Sequence, residues 1–185
     1  MKRFLIFAGV GVAIIAVVMM AALFFMRKYT KSFSPEENTV FTYSELTIKV
    51  FYNRPFKKGR EIFGKLVPYN VVWRTGANEA TTFETNKSLN IEGKILPAGK
   101  YSLWTIPGEN SWTIIFNSEY GQWGINSDGE ANRDPARDVL TVEVAAVHQE
   151  NVIEQFTIAF HQTGDEAEMV LMWDQTIAAM PFTYD

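Results

Sequence analysis

The chain has 185 residues, 47% hydrophobic and 21% charged, with a formal charge of −4 and no cysteine. These numbers exclude a disordered tail protein, a disulfide-stapled scaffold, a multi-span transporter and a basic nucleic-acid binder. They also remove thiol nucleophiles, CxxC redox pairs and Cys-ligated zinc.

After a three-residue tail (residues 1–3), residues 4–26 form a run with no charged residue and no Asn, Gln, Ser, Thr or Pro. As a helix this run is about 34 Å long at 1.5 Å per residue, enough for a hydrocarbon core of about 30 Å. It closes on Leu23-Phe24-Phe25-Met26-Arg27-Lys28. That ending has a basic stop and no small-x-small cleavage site, so the expectation is an uncleaved single-pass anchor whose partner is the bilayer. A long domain following such an anchor is normally exported. The chain is therefore expected in the cell membrane, with its C-terminal domain extracytoplasmic, on the periplasmic side. Residues 27–38 read as a polar tether and 39–185 as one folded domain.

Without residues 1–28 the chain keeps 13 Lys+Arg against 21 Asp+Glu, about −8. The charge is divided along the chain. Residues 29–118 carry 11 basic and 8 acidic side chains, and residues 119–185 carry 2 and 13. The basic part concentrates in Arg54, Lys57, Lys58, Arg60, Lys65 and Arg74. It reads either as an anion or lipid-headgroup patch, or as side chains that pair with the acidic second half.

Beyond the tether the dominant period is two. Leu46, Ile48, Val50 and Tyr52 alternate with Thr47, Lys49 and Phe51. Further strand-like runs lie at 70–74, 81–85, 100–106, 112–117, 139–147, 152–160 and 168–174, rich in Val, Ile, Thr, Phe, Tyr and Trp. Turn signals such as Pro97-Ala98-Gly99, Pro107-Gly108 and Ser127-Asp128-Gly129 separate several of them. The expected fold is all-β: an antiparallel sandwich, jelly-roll-like or a partly closed barrel, behind one N-terminal transmembrane helix.

Several motifs fail on context. Gly59-Arg60-Glu61-Ile62-Phe63-Gly64-Lys65 matches G-x-x-x-x-G-K, but Leu66 replaces the hydroxyl residue and Pro68 forbids the helix that should follow. Asp128, Glu130, Asn132 and Asp134, in the acidic loop 126–138, have the spacing of a calcium loop without its glycine or closing glutamate. The two histidines, His148 and His161, have no zinc spacing. No metal and no cofactor is expected. Trp104, Trp112 and Trp173 fall in strand patterns and read as core, whereas Trp123 lies in a glycine-rich loop and reads as an exposed aromatic.

The segment Trp73-Arg74-Thr75-Gly76-Ala77-Asn78-Glu79-Ala80-Thr81 differs in kind. A strand-like run ends in an arginine, followed by small residues, an amide, a carboxylate and a hydroxyl. Arg74 offers a planar fork for an anion. Asn78, Glu79 and Thr81 can bond hydroxyl-bearing ligands or one another. Together with the pieces around Gly59 to Tyr69 and Leu96-Pro97-Ala98-Gly99-Lys100-Tyr101-Ser102-Leu103, this run resembles the bacterial domain of unknown function 2911 family. The resemblance covers roughly residues 39–182. It implies an export-associated β-rich domain and carries no activity onto any residue.

The expectation is thus a non-catalytic binding module for a small polar, anionic or glycan ligand, or for an envelope protein. Arg60, Arg74, Asn78, Glu79 and Thr81 would make the contacts, with Tyr101 or Trp123 stacking. Two alternatives stand beside it. One is a hydrolase of envelope saccharides using Glu79 and an unidentified second carboxylate. The other is a structural envelope protein in which the Arg74–Glu79 turn is wholly self-paired.

Overall fold

A computed structural model describes residues 2–164 and 166–184. Met1 of the expected tail, and Asp185, lie outside the described residues. The chain divides into two units, 1–33 and 34–185. The first is a single helix, α1 (Lys2–Phe33). Its stretch Ala13–Phe33 is long and apolar enough to cross a membrane, the property of an anchor or of a signal sequence.

The second unit is a nine-stranded antiparallel sheet, with strands β1 (Glu36–Tyr43), β2 (Leu46–Asn53), β3 (Thr82–Thr85), β4 (Leu89–Ile91) and β5 (Lys94–Leu96). It continues with β6 (Gly99–Pro107), β7 (Ser111–Asn117), β8 (Asp138–Thr163) and β9 (Glu166–Tyr184). The spatial order is β1-β2-β3-β6-β7-β8-β9-β4-β5, and the sheet does not close into a barrel. β8 pairs with β7 over residues 138–145 and with β9 from Ala146 onward. Two register shifts interrupt the β8–β9 ladder, between His148 and Ile153 and between Ile153 and Thr157.

The fold is sandwich-like because period-two strands with one apolar face must bury that face against another layer. Leu46, Ile48, Val50 and Tyr52 of β2 face Phe156, Ile158, Met169, Leu171 and Trp173 of β8 and β9 in one continuous core. At the seam where β1 and β2 meet the second half of β8, side chains replace the backbone ladder. The Tyr52 hydroxyl accepts from Ile158 N–H at 3.0 Å, and Thr39 Oγ1 donates to Ile158 O at 3.3 Å. Phe41 stacks on Phe160 at 5.2 Å.

The central strands β6 and β7 are buried on both faces. On their outer side Trp104 and Ile115 pack with Ala80 under irregular chain. Trp104, Trp112 and Trp173 are core residues, as their strand positions imply.

Of residues 27–38, read as a polar tether, 27–33 are the end of α1 and 36–38 open β1, with Ser34 and Pro35 between. Two expectations on extent change. Residues 70–74 are not a strand. Asn70 has φ 60°, Thr75 has φ 55°, and the only pairing in the run is a bridge from Trp73 to Thr105. Residues 139–147 and 152–160 belong to one strand, not two.

Candidate functional site

The distinctive segment lies between two bonded crossings. Trp73 N–H donates to Thr105 O at 2.7 Å, and Leu103 N–H donates to Thr81 O at 2.8 Å. Both ends are therefore pinned on β6, and the seven residues between form a loop closed by Thr81 N–H on Arg74 O at 3.2 Å. Three left-handed or glycine positions shape it: Thr75 at φ 55°, Gly76 at 147° and Asn78 at 57°.

The loop's polar groups turn inward. Thr81, fully buried, donates to Thr75 O at 2.5 Å. Thr75 Oγ1, also fully buried, meets Thr105 Oγ1 at 3.1 Å. Trp73 Nε1 donates to Gly76 O at 2.9 Å. Asn53, at the end of β2 and fully buried, is the hub beneath: its Nδ2 donates to Glu79 Oε2 at 3.1 Å, and its Oδ1 accepts from Asn78 Nδ2 at 3.2 Å. Asn53 O also accepts Ala77 N–H at 3.3 Å. Asn78 Nδ2 further donates to Ser34 O at 3.4 Å, where the chain enters the domain.

Arg74 is the half-buried cation of the group. Its side chain lies along Gly124, where an added Cβ would stand 2.6 Å from Arg74 Cδ. Its Nη1 donates to Trp123 O at 3.3 Å. Burial pulls its guanidinium below the ordinary arginine value, and the Glu79 carboxylate partly offsets that. Ala80 N–H donates to Gln122 O at 3.2 Å, so the 120–124 loop is stitched to the segment.

The other expected residues lie elsewhere. Arg60 is exposed and staples its own loop, donating from Nε to Lys57 O at 3.0 Å and from Nη2 to Phe56 O. Tyr101 is buried in the main core, 6% exposed, and donates to Pro97 O at 2.8 Å. It packs on Gly99 and is no stacking platform. Its burial pushes the hydroxyl above the usual tyrosine value. Trp123 is half-buried. The structure thus brings Arg74, Asn78, Glu79, Thr81 and the Trp123 backbone together and leaves Arg60 and Tyr101 apart. Asn53, Thr75, Thr105, Ser34 and Gly124 complete the cluster. Only Thr75 was visible in the segment itself, the rest being far away in sequence.

The basic stretch docks on the acidic hairpin. Lys57 pairs with Asp174 at 2.5 Å, Lys58 N–H donates to Glu154 Oε1 at 2.8 Å, and Arg54 donates to Phe156 O at 3.0 Å and Thr157 Oγ1 at 2.8 Å. In the acidic loop the oxygens serve the chain itself. Asn126 Oδ1 accepts from the N–H groups of Asp128 and Glu130, Asp134 caps the 3-10 turn Pro135–Arg137, and Asp138 pairs with Arg133. Among the described residues no three His, Asp or Glu side chains converge as metal ligands.

A family model described as a protein of unknown function, DUF2911, matches residues 34–182. The chain belongs to the DUF2911 family. No curated protein and no solved structure matches it. The matched DUF2911 span begins at Ser34, the residue whose carbonyl Asn78 holds, and covers every strand through Phe182 of β9.

Proposed function

We propose that this DUF2911 chain is a non-catalytic, membrane-anchored envelope domain on the extracytoplasmic side. In this reading the 73–81 segment is a structural lock, and the domain acts through its surface on another envelope component. The observation that carries this is the fate of the segment's polar groups. Asn78 and Thr81 are buried and hydrogen-bonded within the chain, and a carboxylate oxygen of Glu79 accepts from the buried amide of Asn53. A reacting or ligand-reading set would hold such groups toward a cleft.

The saccharide hydrolase reading draws less support. It needs a carboxyl with a raised pKa beside a second acid. Glu79 instead accepts from the buried Asn53 amide and lies near the Arg74 guanidinium, neither of which is a second acid.

One observation keeps a binding role for Arg74. Its guanidinium donates to the Trp123 carbonyl and has the Glu79 carboxylate as a charged neighbour, and its planar fork has the shape that recognises an anion.

A glycan and metabolite binding screen on the full chain, with Arg74→Ala and Glu79→Gln beside the wild type, tests the proposal. The lock predicts lower unfolding midpoints for Glu79→Gln and no ligand that the variants lose. A ligand bound by wild type and lost in Glu79→Gln at unchanged stability overturns it.

A further inference from the structure

We infer that the 61–69 loop is a lid over a ligand site within the domain, and that the site takes a neutral, flat ring compound bearing a carbonyl oxygen. Its walls are the rings of Trp73, Trp112, Phe156 and Trp173, and Phe63 of the lid fills the place of the ligand's ring.

The first ground is a pair of buried donors that nothing accepts. Trp73 and Trp104 give their indole protons to Gly76 O at 2.9 Å and to Ser102 Oγ at 2.7 Å. Trp112 and Trp173 are at most 1% exposed, and among the described residues no acceptor reaches either Nε1. A buried N–H without an acceptor is costly, and native chains keep few of them. Both rings belong to one cluster. Trp73 lies 6.3 Å from Trp112 and 6.0 Å from Trp173, and Phe156 lies 5.0 Å from Trp73 and 5.9 Å from Trp173. Phe63 comes to 4.9 Å from Trp112 and 6.2 Å from Trp173, where its phenyl ring fills space but offers no acceptor.

The second ground is how the loop is held. Its inner face, Ile62, Phe63 and Val67, is buried, while Glu61, Gly64, Lys65 and Leu66 are exposed. Among the described residues, every hydrogen bond made by 61–69 stays inside the loop. Gly64 N–H donates to Val67 O and Val67 N–H to Ile62 O, both at 2.9 Å, and Lys65 and Leu66 donate to Ile62 O and Glu61 O at 3.4 Å. The Tyr69 ring closes on Gly64, where an added Cβ would stand 2.8 Å from it. The loop is thus a self-bonded unit that meets the sheets by apolar contact. Its flanks are pinned instead. Lys57 pairs with Asp174 at 2.5 Å and donates its N–H to Glu154 O at 2.6 Å, and Asn70 N–H donates to Pro107 O at 2.8 Å. Left-handed Gly59 (φ 69°) and Asn70 (φ 60°) stand at the two roots. A unit tied this way lifts between fixed roots without breaking a hydrogen bond to the sheets.

The third ground is the chemistry of the space beneath. Tilted and edge-on aromatic walls accept a flat ring in place of the phenyl. Indoles are donors only, so the ligand's polar atom is an acceptor. The rings bring no charge with them, and a carboxylate among them would be buried without a partner, which selects a neutral carbonyl. The polar lock stays intact, because Trp73 contributes its ring while its N–H remains on Gly76 O. A ligand that binds under the lid makes a minor, lifted state the dominant one.

The test uses the full chain in detergent micelles with isotope-labelled tryptophan, whose five indole N–H signals are assigned by single Trp→Phe changes. The probes are acetophenone and α-methylstyrene, which share a shape and differ in a carbonyl oxygen against a methylene group. Acetophenone should move the Trp112 signal downfield along a saturating curve, leave Trp104 in place and bind at least fivefold more tightly than α-methylstyrene. Trp112→Phe should abolish that preference. With no probe present, the indole protons of Trp112 and Trp173 should exchange with deuterium at least tenfold faster than that of Trp104, through lifting of the lid. Equal binding of the two probes, no saturable shift at Trp112, or a preference kept in Trp112→Phe overturns the inference. Exchange of all three indole protons at one rate overturns it as well, and this reading, like the probe pair on the wild type, needs no variant to fold.

Discussion

Gly124 and Gly76 are where single atoms decide the fit of the lock. At Gly124, φ is +96° and an added Cβ would stand 2.6 and 2.9 Å from Arg74 Cδ and Cβ. At Gly76, φ is +147° and the Cβ would stand 2.9 Å from Asn53 O. Strain and overpacking each cost about 1–3 kcal/mol, so Gly124→Ala and Gly76→Ala should each lower unfolding stability by about 2–4 kcal/mol. Gly59 and Gly129 share a left-handed φ but have open space around them. Alanine there should cost about 1 kcal/mol in the same denaturant titration, the backbone contribution alone. Equal losses at all four positions would show that close approach to Arg74 and Asn53 contributes nothing. Tyr101 gives a pH signature. Burial raises its pKa above the ordinary value of 10.0, so the folded chain holds that proton more tightly than the unfolded chain. The stability is fully present below pH 10 and is lost as pH rises past it. Alkaline unfolding monitored by tryptophan emission should start near pH 10 and be shallower in Tyr101→Phe. Tyr69, raised mainly by burial and further by Glu109 and Glu61, accounts for part of what remains.

Among the elements, the seam between β2 and β8 is closed by one hydroxyl. Tyr52 accepts from Ile158 N–H at 3.0 Å and donates to Ile158 O at 3.4 Å, both buried. Tyr52→Phe leaves the buried amide without an acceptor, at a cost of about 1–3 kcal/mol. Hydrogen exchange should show the Ile158 amide losing protection before its neighbours in β8. An unchanged Ile158 rate would mean that the seam is held by Phe41 on Phe160 instead. The loop before Trp73 is a plug, with Ile62, Phe63 and Val67 in the main core, and Phe63 within 4.9 Å of Trp112 and 6.2 Å of Trp73 and Trp173. Strands with strong alternation were legible in the sequence: β2, β3, β6, β7, most of β8 and the first part of β9. β1 was not, because Glu36-Glu37-Asn38 reads as tether, and its strand state comes from pairing along the whole of β2. The run at 70–74 has strand composition, yet the positive φ values at Asn70 and Thr75 turn it away from the ladder. Local pattern reports a preference that tertiary pairing then grants or refuses.

For the molecule as a whole, the opposed charges of the two halves meet in the fold. Lys57 on Asp174 and Arg54 along Phe156 and Thr157 show the basic stretch seated on the acidic hairpin, so its charge serves cohesion. That pairing joins residues more than 100 apart, which no local pattern can display. The same holds for the candidate site. The segment was legible as unusual, but its partner Asn53 lies 25 residues from Asn78, and without Asn53 the side chains looked available. The most direct measurement of the lock is a double-mutant cycle on Asn53→Ala and Asn78→Ala, read by urea unfolding of the full chain in detergent micelles through tryptophan emission. Each single change should cost about 1–3 kcal/mol, because each strands a buried polar partner. The double should cost less than the sum by about 1 kcal/mol or more, since the two share one bond. Losses near zero, or losses that add to within about 0.5 kcal/mol, would contradict a segment whose polar groups are spent on holding the fold together.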